Sequence, residues 1–235
     1  MEEGPRTCGV DIAAGGEAQT VCAVRVGWRI IALHAWRESD LMETVARIVS
    51  IARALPADRI VIDATGVGAG VFDRLRELDL PAVPFNGAEG TDRTDASGVL
   101  RFLNKRAAAW WGMRELLHPH SPHPVTLPQD PELLRDLTCP RYKTDAAGGK
   151  LAVERKSELV KRLGRSPDKG DAVVMAFWSD DGAYESGYQV HTAETLRELT
   201  SPSEEEVSSE ASAAAWNRRL WKEADRGRWL RERTQ

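Results

Sequence analysis

The stretch Arg59-Ile-Val-Ile-Asp-Ala-Thr-Gly-Val-Gly-Ala-Gly70 decides the fold of this 235-residue chain. Its β-branched residues lead directly into Asp63, and three glycines follow closely. A continuous apolar run that ends in a turn predicts a strand buried on both faces. Asp63 is therefore predicted at the carboxyl end of that strand, the edge at which open α/β sheets bind their ligands. A carboxylate is costly to bury there unless it is paired or binds a metal.

The segments on either side of this strand predict the rest of a sheet. Three short apolar stretches between residues 7 and 36, separated by glycine turns, are typical of an antiparallel meander, and the first carries Asp11. A helix from Asp40, a helix over about 71–79 and a strand over 81–85 complete the order β-β-β-α-β-α-β. This order resembles a ribonuclease-H-like α/β fold: a mixed five-stranded sheet, three strands antiparallel and then two parallel, flanked by helices. In that fold the first and fourth strands are parallel neighbours, so Asp11 and Asp63 would lie side by side.

The second half of the chain adds helices and a hairpin. A long helix is predicted from about Val99 to Leu117, with Trp110 and Trp111 as packing residues. Two short segments at 141–144 and 150–154 flank a glycine-rich turn and predict an added β-hairpin. A final apolar helix is opened by Pro167 and carries Asp168 and Asp171 in its first turn.

A change of composition predicts two parts of the chain. Residues 1–182 have the apolar patterning of one α/β domain. Residues 183–210 are rich in Ser, Thr and Glu, which predicts a polar linker, and 211–233 has the spacing of an amphipathic helix. We therefore expect a domain over 1–182 and a linker with a C-terminal amphipathic helix or tail over 183–235.

Composition excludes several classes of protein. No run of 18 apolar residues is present, and the first residues lack the pattern of a signal peptide. The three cysteines are scattered, which favours a reducing compartment over a disulfide framework or a thiolate zinc site. The net charge of −4 does not indicate a nucleic-acid binder, but residues 101–170 hold 14 basic and 8 acidic side chains. This region is either a footprint for a polyanion or a solvated face.

The candidate catalytic residues are four acids: Asp11, Asp63 and the Asp168/Asp171 pair. Carboxylates that converge repel one another, so the ionised set needs a cation. Oxygen ligands suit Mg²⁺ or Mn²⁺, and two such ions about 3.5–4 Å apart are the usual solution for phosphodiester hydrolysis.

Five motifs in this order resemble the nuclease domain of the large terminase subunit of tailed bacteriophages. The resemblance covers roughly residues 6–180 and rests on Gly9-Val-Asp11, Ile62-Asp-Ala-Thr-Gly-Val-Gly68, Asn104-Lys-Arg-Ala with Trp110-Trp-Gly-Met-Arg-Glu115, Gly149-Lys-Leu-Ala-Val-Glu-Arg-Lys156, and Arg162-Leu-Gly-Arg-Ser-Pro-Asp-Lys-Gly-Asp-Ala172. Each motif is weak alone, and their combination is specific.

The resemblance implies a metal-dependent endonuclease that cleaves double-stranded, concatemeric viral DNA during genome packaging, with two Mg²⁺ or Mn²⁺ ions and little sequence specificity. It makes Asp11, Asp63 and Asp171 metal ligands, with Asp168 as an alternative or indirect ligand and Glu154 in a supporting role. The basic residues predicted to contact DNA are Arg101, Lys105, Arg106, Arg141, Lys143, Lys150 and Lys156. For the first three, a solvated helix face remains the alternative.

The same resemblance implies the cytoplasm of a bacterial host, no membrane contact, and the terminase ATPase domain, the portal and the small terminase subunit as partners. The chain lacks a GxxxxGK[ST] motif, and few residues precede Asp11. We therefore expect an isolated nuclease part, a split-gene product or an excised piece. Two alternatives remain: a Holliday-junction resolvase or ribonuclease H on the same fold, and a non-catalytic module that docks on the portal or motor.

Overall fold

The structure, a computed structural model, describes residues 4–13, 15, 18–38, 40–144 and 149–179. The predicted linker and C-terminal helix at 183–235 lie outside the described residues, as does the hairpin turn at 145–148. Within the described ranges the strands are β1 (Arg6–Asp11), β2 (Thr20–Val26), β3 (Arg29–Trp36), β4 (Arg59–Asp63), β5 (Ala82–Phe85), β6 (Tyr142–Thr144) and β7 (Leu151–Val153). The helices are α1 (Leu41–Ala54), α2 (Gly68–Glu77), α3 (Lys105–Leu116), α4 (Pro131–Thr138), α5 (Lys156–Leu163) and α6 (Asp168–Ala176). None of these described helices is long and apolar enough to cross a membrane.

The five-stranded sheet confirms the predicted topology. Its order is β3-β2-β1-β4-β5. The pairs β1–β2 and β2–β3 are antiparallel, whereas β1–β4 and β4–β5 are parallel. The crossover through α1 places β4 beside β1, and the crossover through α2 places β5 beside β4, as the order of elements predicts. The predicted hairpin is also present, with β6 and β7 paired antiparallel.

The two faces of the sheet carry separate halves of the core. Successive side chains of a strand point to opposite faces. In β1, Cys8 and Val10 therefore join the core formed with α1 and α2, and Ile60 and Ile62 of β4 do the same. The other face, to which Val61 belongs, packs against α3, α4 and α6. Asp11 and Asp63 continue this alternation on the α6 side.

Helix α6 packs closely on β1 because residue 9 has no side chain. A Cβ atom at Gly9 would lie 2.1 Å from the carbonyl oxygen of Ala172 and 2.3 Å from the amide nitrogen of Ala176. Both are backbone atoms, so a side-chain rearrangement would not relieve the clash. Ala172 follows Asp171 in the chain. The contact at Gly9 therefore brings the first turn of α6 towards the end of β1.

Helix α3 is shorter than predicted, because it begins at Lys105 and not near Val99. The Asn104 side chain caps it by accepting a hydrogen bond from the amide of Ala107 at 2.9 Å. The preceding residues pair instead with β7: Leu151 donates to the carbonyl of Arg101 at 2.7 Å, and Leu103 donates to that of Leu151 at 2.9 Å. Arg101 is therefore not on the helix. The predicted packing role of Trp110 and Trp111 is confirmed, since both are buried.

We predict that Gly9→Ala strongly destabilises the protein, whereas Gly70→Ala does not. Overpacking against rigid backbone should lower the free energy of unfolding by about 3 kcal/mol. Gly70 lies in α2, and a methyl group added there would meet no atom within 4 Å, so alanine should be neutral or stabilising by up to about 1 kcal/mol. Urea denaturation of both variants measures the difference. Equal stabilities would show that β1 and α6 can separate at little cost.

Candidate active site

Asp11 and Asp63 lie at the ends of adjacent parallel strands. Val10 is paired with Ile62, and Asp11 and Asp63 are the residues that follow these two. The strands themselves lie about 4.8 Å apart. Asp11 is buried, whereas Asp63 is partly exposed. Oδ1 of Asp63 accepts hydrogen bonds from the amide and the hydroxyl of Thr65 at 3.0 and 2.6 Å. Thr65 is a site residue that the sequence reasoning missed, although Asp-x-Thr is a common turn signal.

The glycine-rich turn after Asp63 allows α2 to begin against the end of β4. A Cβ atom at Gly68 would lie 1.8 Å from the carbonyl oxygen of Asp63. Any side chain at this position would push the helix start away from the strand. Gly66 has a φ of 57°, in the left-handed region that glycine adopts readily. These residues therefore shape the turn that holds Asp63.

Asp171, in the first turn of α6, is held by two neighbours. Trp110 of α3 donates from Nε1 to Oδ1 of Asp171 at 3.2 Å. Oδ2 of Asp171 lies 2.9 Å from Nζ of Lys156. That oxygen is buried, and within the described residues Lys156 is the group that neutralises it.

The ammonium group of Lys156 is the cation around which these acids converge. Nζ lies 3.3 Å from Oδ2 of Asp11 as well as contacting Asp171. Burial raises the pKa of Asp11 well above its ordinary value, and the charge of Lys156 opposes this rise. Partial burial of Lys156, whose side chain is 43% exposed, lowers its pKa, but Asp171 and Asp11 outweigh this and hold that pKa above its usual range. The sequence predicts Lys156 as a DNA contact, and the structure places it inside the acidic site.

A cleft of about 200 Å³ connects these groups. Several water molecules would fill this volume, since each occupies about 30 Å³ in the liquid. The lining residues are Asp11, Asp63, Thr65, Phe85, Gly87, Ala88, Arg106, Trp110, Lys156, Asp171, Val174 and Met175. Asp11, Asp63 and Asp171 thus face one space, whose lining includes both charged and apolar side chains.

The donor set suits a hard divalent cation, but its present arrangement is built around Lys156. Within the described residues, no three His, Cys, Asp or Glu side chains are already close enough to hold an ion. The three carboxylates, among them the buried Oδ2 of Asp171, nevertheless supply the oxygen ligands that Mg²⁺ and Mn²⁺ prefer. An ion at this place would compete with the ammonium group for Asp11 and Asp171.

Asp168 and Glu154 lie outside the lining of this cleft. Oδ2 of Asp168 accepts from the amide of Gln19 at 2.9 Å, which ties α6 to the approach to β2. Oε1 of Glu154 pairs with the guanidinium of Arg162 and accepts from the amide of Arg141 at 2.9 Å. Asp171 is thus the helix carboxylate that lines the cleft with Asp11 and Asp63, while the charge of Asp168 is close enough to contribute to the raised pKa of Asp11.

The predicted DNA-contact residues fall into different surroundings. Lys105 pairs with Glu89 at 2.7 Å. Arg106 donates from Nη1 to the carbonyl of Glu154 at 2.7 Å, and its buried Nη2 has no hydrogen-bond partner in the part of the chain that is described. The remaining residues lie beside the hairpin: Arg101 and Lys143 are exposed, and Arg141 and Lys150 are half-buried. Of the set, Arg106 and Lys156 line the cleft.

No protein-family model and no curated protein matches the chain. Solved structures do. The nuclease domain of the large terminase subunit gp2 of bacterial virus Sf6 matches with a TM-score of 0.65 and 23% identity, over 76% of this chain and 90% of that one. A K428A mutant of that domain with manganese matches with a TM-score of 0.63, 23% identity and the same coverage. The large terminase nuclease of thermophilic phage G20c with bound magnesium matches with a TM-score of 0.50 and 17% identity, over 73% of this chain and 79% of that one. The fold is thus that of large terminase nuclease domains.

We predict that Asp11→Asn stabilises the metal-free protein at neutral pH. The raised pKa of Asp11 means that ionising this carboxyl costs more free energy in the folded state than in the unfolded state, where its pKa is about 3.9. Stability therefore falls as pH rises above that value, and the asparagine variant avoids this loss. Thermal melts in EDTA should show a midpoint a few degrees above wild type at pH 7, with the gain shrinking towards pH 4.

The matched control is Asp73→Asn on the exposed face of α2, which should leave the midpoint unchanged. A lower midpoint for Asp11→Asn at pH 7 would mean that its pairing with Lys156 outweighs the cost of burying the carboxylate.

Proposed function

We propose that this chain is a metal-dependent endonuclease that cleaves double-stranded DNA during packaging of a viral genome. The observation that carries the proposal is the convergence of Asp11, Asp63 and Asp171, from three separate elements, on one cleft. Charged groups gathered at the carboxyl edge of a parallel strand pair are typical of a catalytic site. The likeness in fold to terminase nuclease domains, including structures with manganese and with bound magnesium, supports this choice of reaction and cofactor.

In this proposal Asp11, Asp63 and Asp171 hold two Mg²⁺ or Mn²⁺ ions. Bound there, such ions would lower the pKa of an attacking water and stabilise the charge on the leaving oxygen. Thr65 fixes Oδ1 of Asp63 through two hydrogen bonds, which orients that carboxylate. Trp110 does the same for Asp171. Both carboxylates are thus positioned before substrate arrives.

Arg106 is suited to bind the DNA backbone at the cleft. Its Nη1 donates to the carbonyl of Glu154, which fixes the guanidinium at the lining of the cleft. The fixed positive charge would attract a phosphate group of the duplex. Phosphate contacts position a duplex without reading its bases, so we expect little sequence specificity and binding that weakens with salt.

The same proposal implies that the chain acts together with the other proteins of genome packaging. We infer that it acts beside the terminase ATPase domain, the portal and the small terminase subunit, in the cytoplasm of the bacterial host. Asp168 remains outside the ligand set in this proposal, because its carboxylate does not line the cleft.

We predict that Asp63→Asn and Asp171→Asn each abolish nicking of supercoiled plasmid in Mn²⁺. Each removes a charged oxygen ligand while keeping the shape of the side chain, so the loss should exceed about 100-fold. Asp168→Asn should retain measurable activity, and Asp73→Asn should match wild type. Nicking assays with circular-dichroism melts separate chemistry from folding. Full activity of Asp63→Asn would remove the proposed site.

We predict that Lys156→Ala increases the affinity for Mn²⁺ in the absence of DNA. The variant removes the cation that competes for Asp11 and Asp171, so calorimetric titration should show binding about tenfold tighter, the equivalent of about 1.4 kcal/mol. Lys161→Ala, exposed on the same helix α5, is the control and should bind like wild type. Weaker binding by Lys156→Ala would mean that the lysine supports the ion.

A further inference from the structure

An exposed apolar ridge lies on the loop that precedes α3. It consists of Val99, Leu100 and Leu103, whose exposed fractions are 77%, 37% and 42%. The other large apolar side chains with comparable exposure in the described residues, Ile31 and Met42, are on different elements. Three exposed apolar side chains within five residues are typical of a surface that binds another molecule.

Hydrogen bonds hold this ridge in its exposed position. The Asp95 carboxylate accepts from the amides of Val99 and Leu100 at 3.0 and 2.8 Å, and from the hydroxyl of Ser97 at 2.7 Å. The amide of Asp95 donates to the carbonyl of Leu100 at 3.0 Å. Because the loop is already ordered, a partner that binds the ridge loses little affinity to ordering it.

The base of the loop is fixed to the core of the domain. The amide of Ala96 donates to Oε1 of Glu115 on α3 at 3.0 Å. The guanidinium carbon of Arg93 lies 4.0 Å from the centroid of the Trp178 ring, which is buried. Phe102, inside the ridge sequence, is buried as well. The ridge therefore projects from an anchored support.

The ridge and the acidic cleft are joined by one short segment. Leu151 of β7 pairs with Arg101 and Leu103 by backbone hydrogen bonds, and Lys156 in the cleft follows five residues later. Five residues span at most about 17 Å. One turn of duplex is about 34 Å long, so the strand that pairs with Arg101 and Leu103 begins within half a duplex turn of Lys156.

The charges around the ridge favour a polyanion. Arg101 lies within the ridge sequence, Lys143 lies on the paired hairpin, and both are exposed. Asp92 is an exposed acid of the same loop. The carboxylate of Asp95 keeps its charge but is directed at the amides of Val99 and Leu100 within its own loop, and Glu89 is paired with Lys105. Apolar side chains flanked by basic ones are typical of proteins that insert a wedge into the minor groove.

We propose that the ridge inserts into the minor groove of duplex DNA held across the cleft, where Val99 and Leu100 partly unstack one base step. A row of single side chains fits the groove about 6 Å wide, whereas a whole helix needs the major groove. Arg101 and Lys143 contact the flanking phosphates. The inference rests on the proposed function and adds to it the way in which the duplex is bound and bent.

The test uses the full chain with Asp63→Asn, so that DNA is bound and not cut. A duplex with 2-aminopurine at successive positions is titrated across roughly 50–200 mM salt, and both anisotropy and base fluorescence are recorded. Val99→Ser with Leu100→Ser should weaken binding about tenfold, as expected for one aliphatic side chain buried. It should abolish the 2-aminopurine signal and leave the salt dependence unchanged. Arg101→Gln with Lys143→Gln should reduce the salt dependence instead.

Ile31→Ser with Met42→Ser is the matched control, since it removes exposed apolar surface away from the cleft and should bind like wild type. Wild-type affinity and fluorescence for the Val99/Leu100 variant would overturn the proposal. If that variant kept wild-type DNA binding but lost self-association in sedimentation, the ridge would be a protein-docking surface and the proposal would fail. Cleavage by the chain with Asp63 intact is assayed separately, so loss of the wedge and loss of the nuclease give different results.

Discussion

The close contact between β1 and α6 is the constraint on which both the fold and the site depend. Gly9 lets the backbone of α6 lie against the sheet, at distances that no side chain could tolerate. Asp171 precedes Ala172, whose carbonyl makes that contact, so the packing that closes the core also brings the third carboxylate to Asp11. A packed core tolerates little added volume, so the position of α6 on the sheet is fixed closely. The position of Asp171 relative to Asp11 is fixed with it.

Electrostatics then explains why this arrangement of acids can exist in a folded chain. A buried carboxylate beside two others would be strongly disfavoured, and Lys156 supplies the opposite charge. The lysine enters from the start of α5, directly after the hairpin, so β6 and β7 are part of the site as well as of the fold. Glu154 and Arg162 fix the hairpin against α5, which sets where the ammonium group lies. The hairpin is therefore needed to stabilise the acidic cleft.

The sequence predicts the sheet well because strand order follows from local patterns and the handedness of crossovers. The adjacency of Asp11 and Asp63 follows from that order alone. Helical spacing cannot separate Asp168 from Asp171, because residues three apart share a face and the choice depends on how α6 rotates against Gly9. The position of Lys156 inside the site could not be predicted either, since it depends on how α5 packs against residues far away in the sequence. The predicted start of α3 is wrong because the apolar spacing of Val99 to Leu103 imitates a helix, while pairing with β7 competes successfully.

Positions whose structure departs from the usual pattern of their residue type often serve binding. The ridge and Asp11 are two such positions in this protein. Val99 and Leu100 remain exposed although their spacing is typical of core residues, and hydrogen bonds within the Asp95 loop keep them so. Asp11 is buried although its raised pKa shows that the folded state disfavours its charge. Neither feature stabilises the isolated chain by itself. For Asp11 the ammonium group of Lys156 supplies part of the compensating charge, and in the function proposed above a metal ion would supply the rest. For the ridge, the duplex proposed above would cover the apolar side chains, and its phosphates would pair with Arg101 and Lys143.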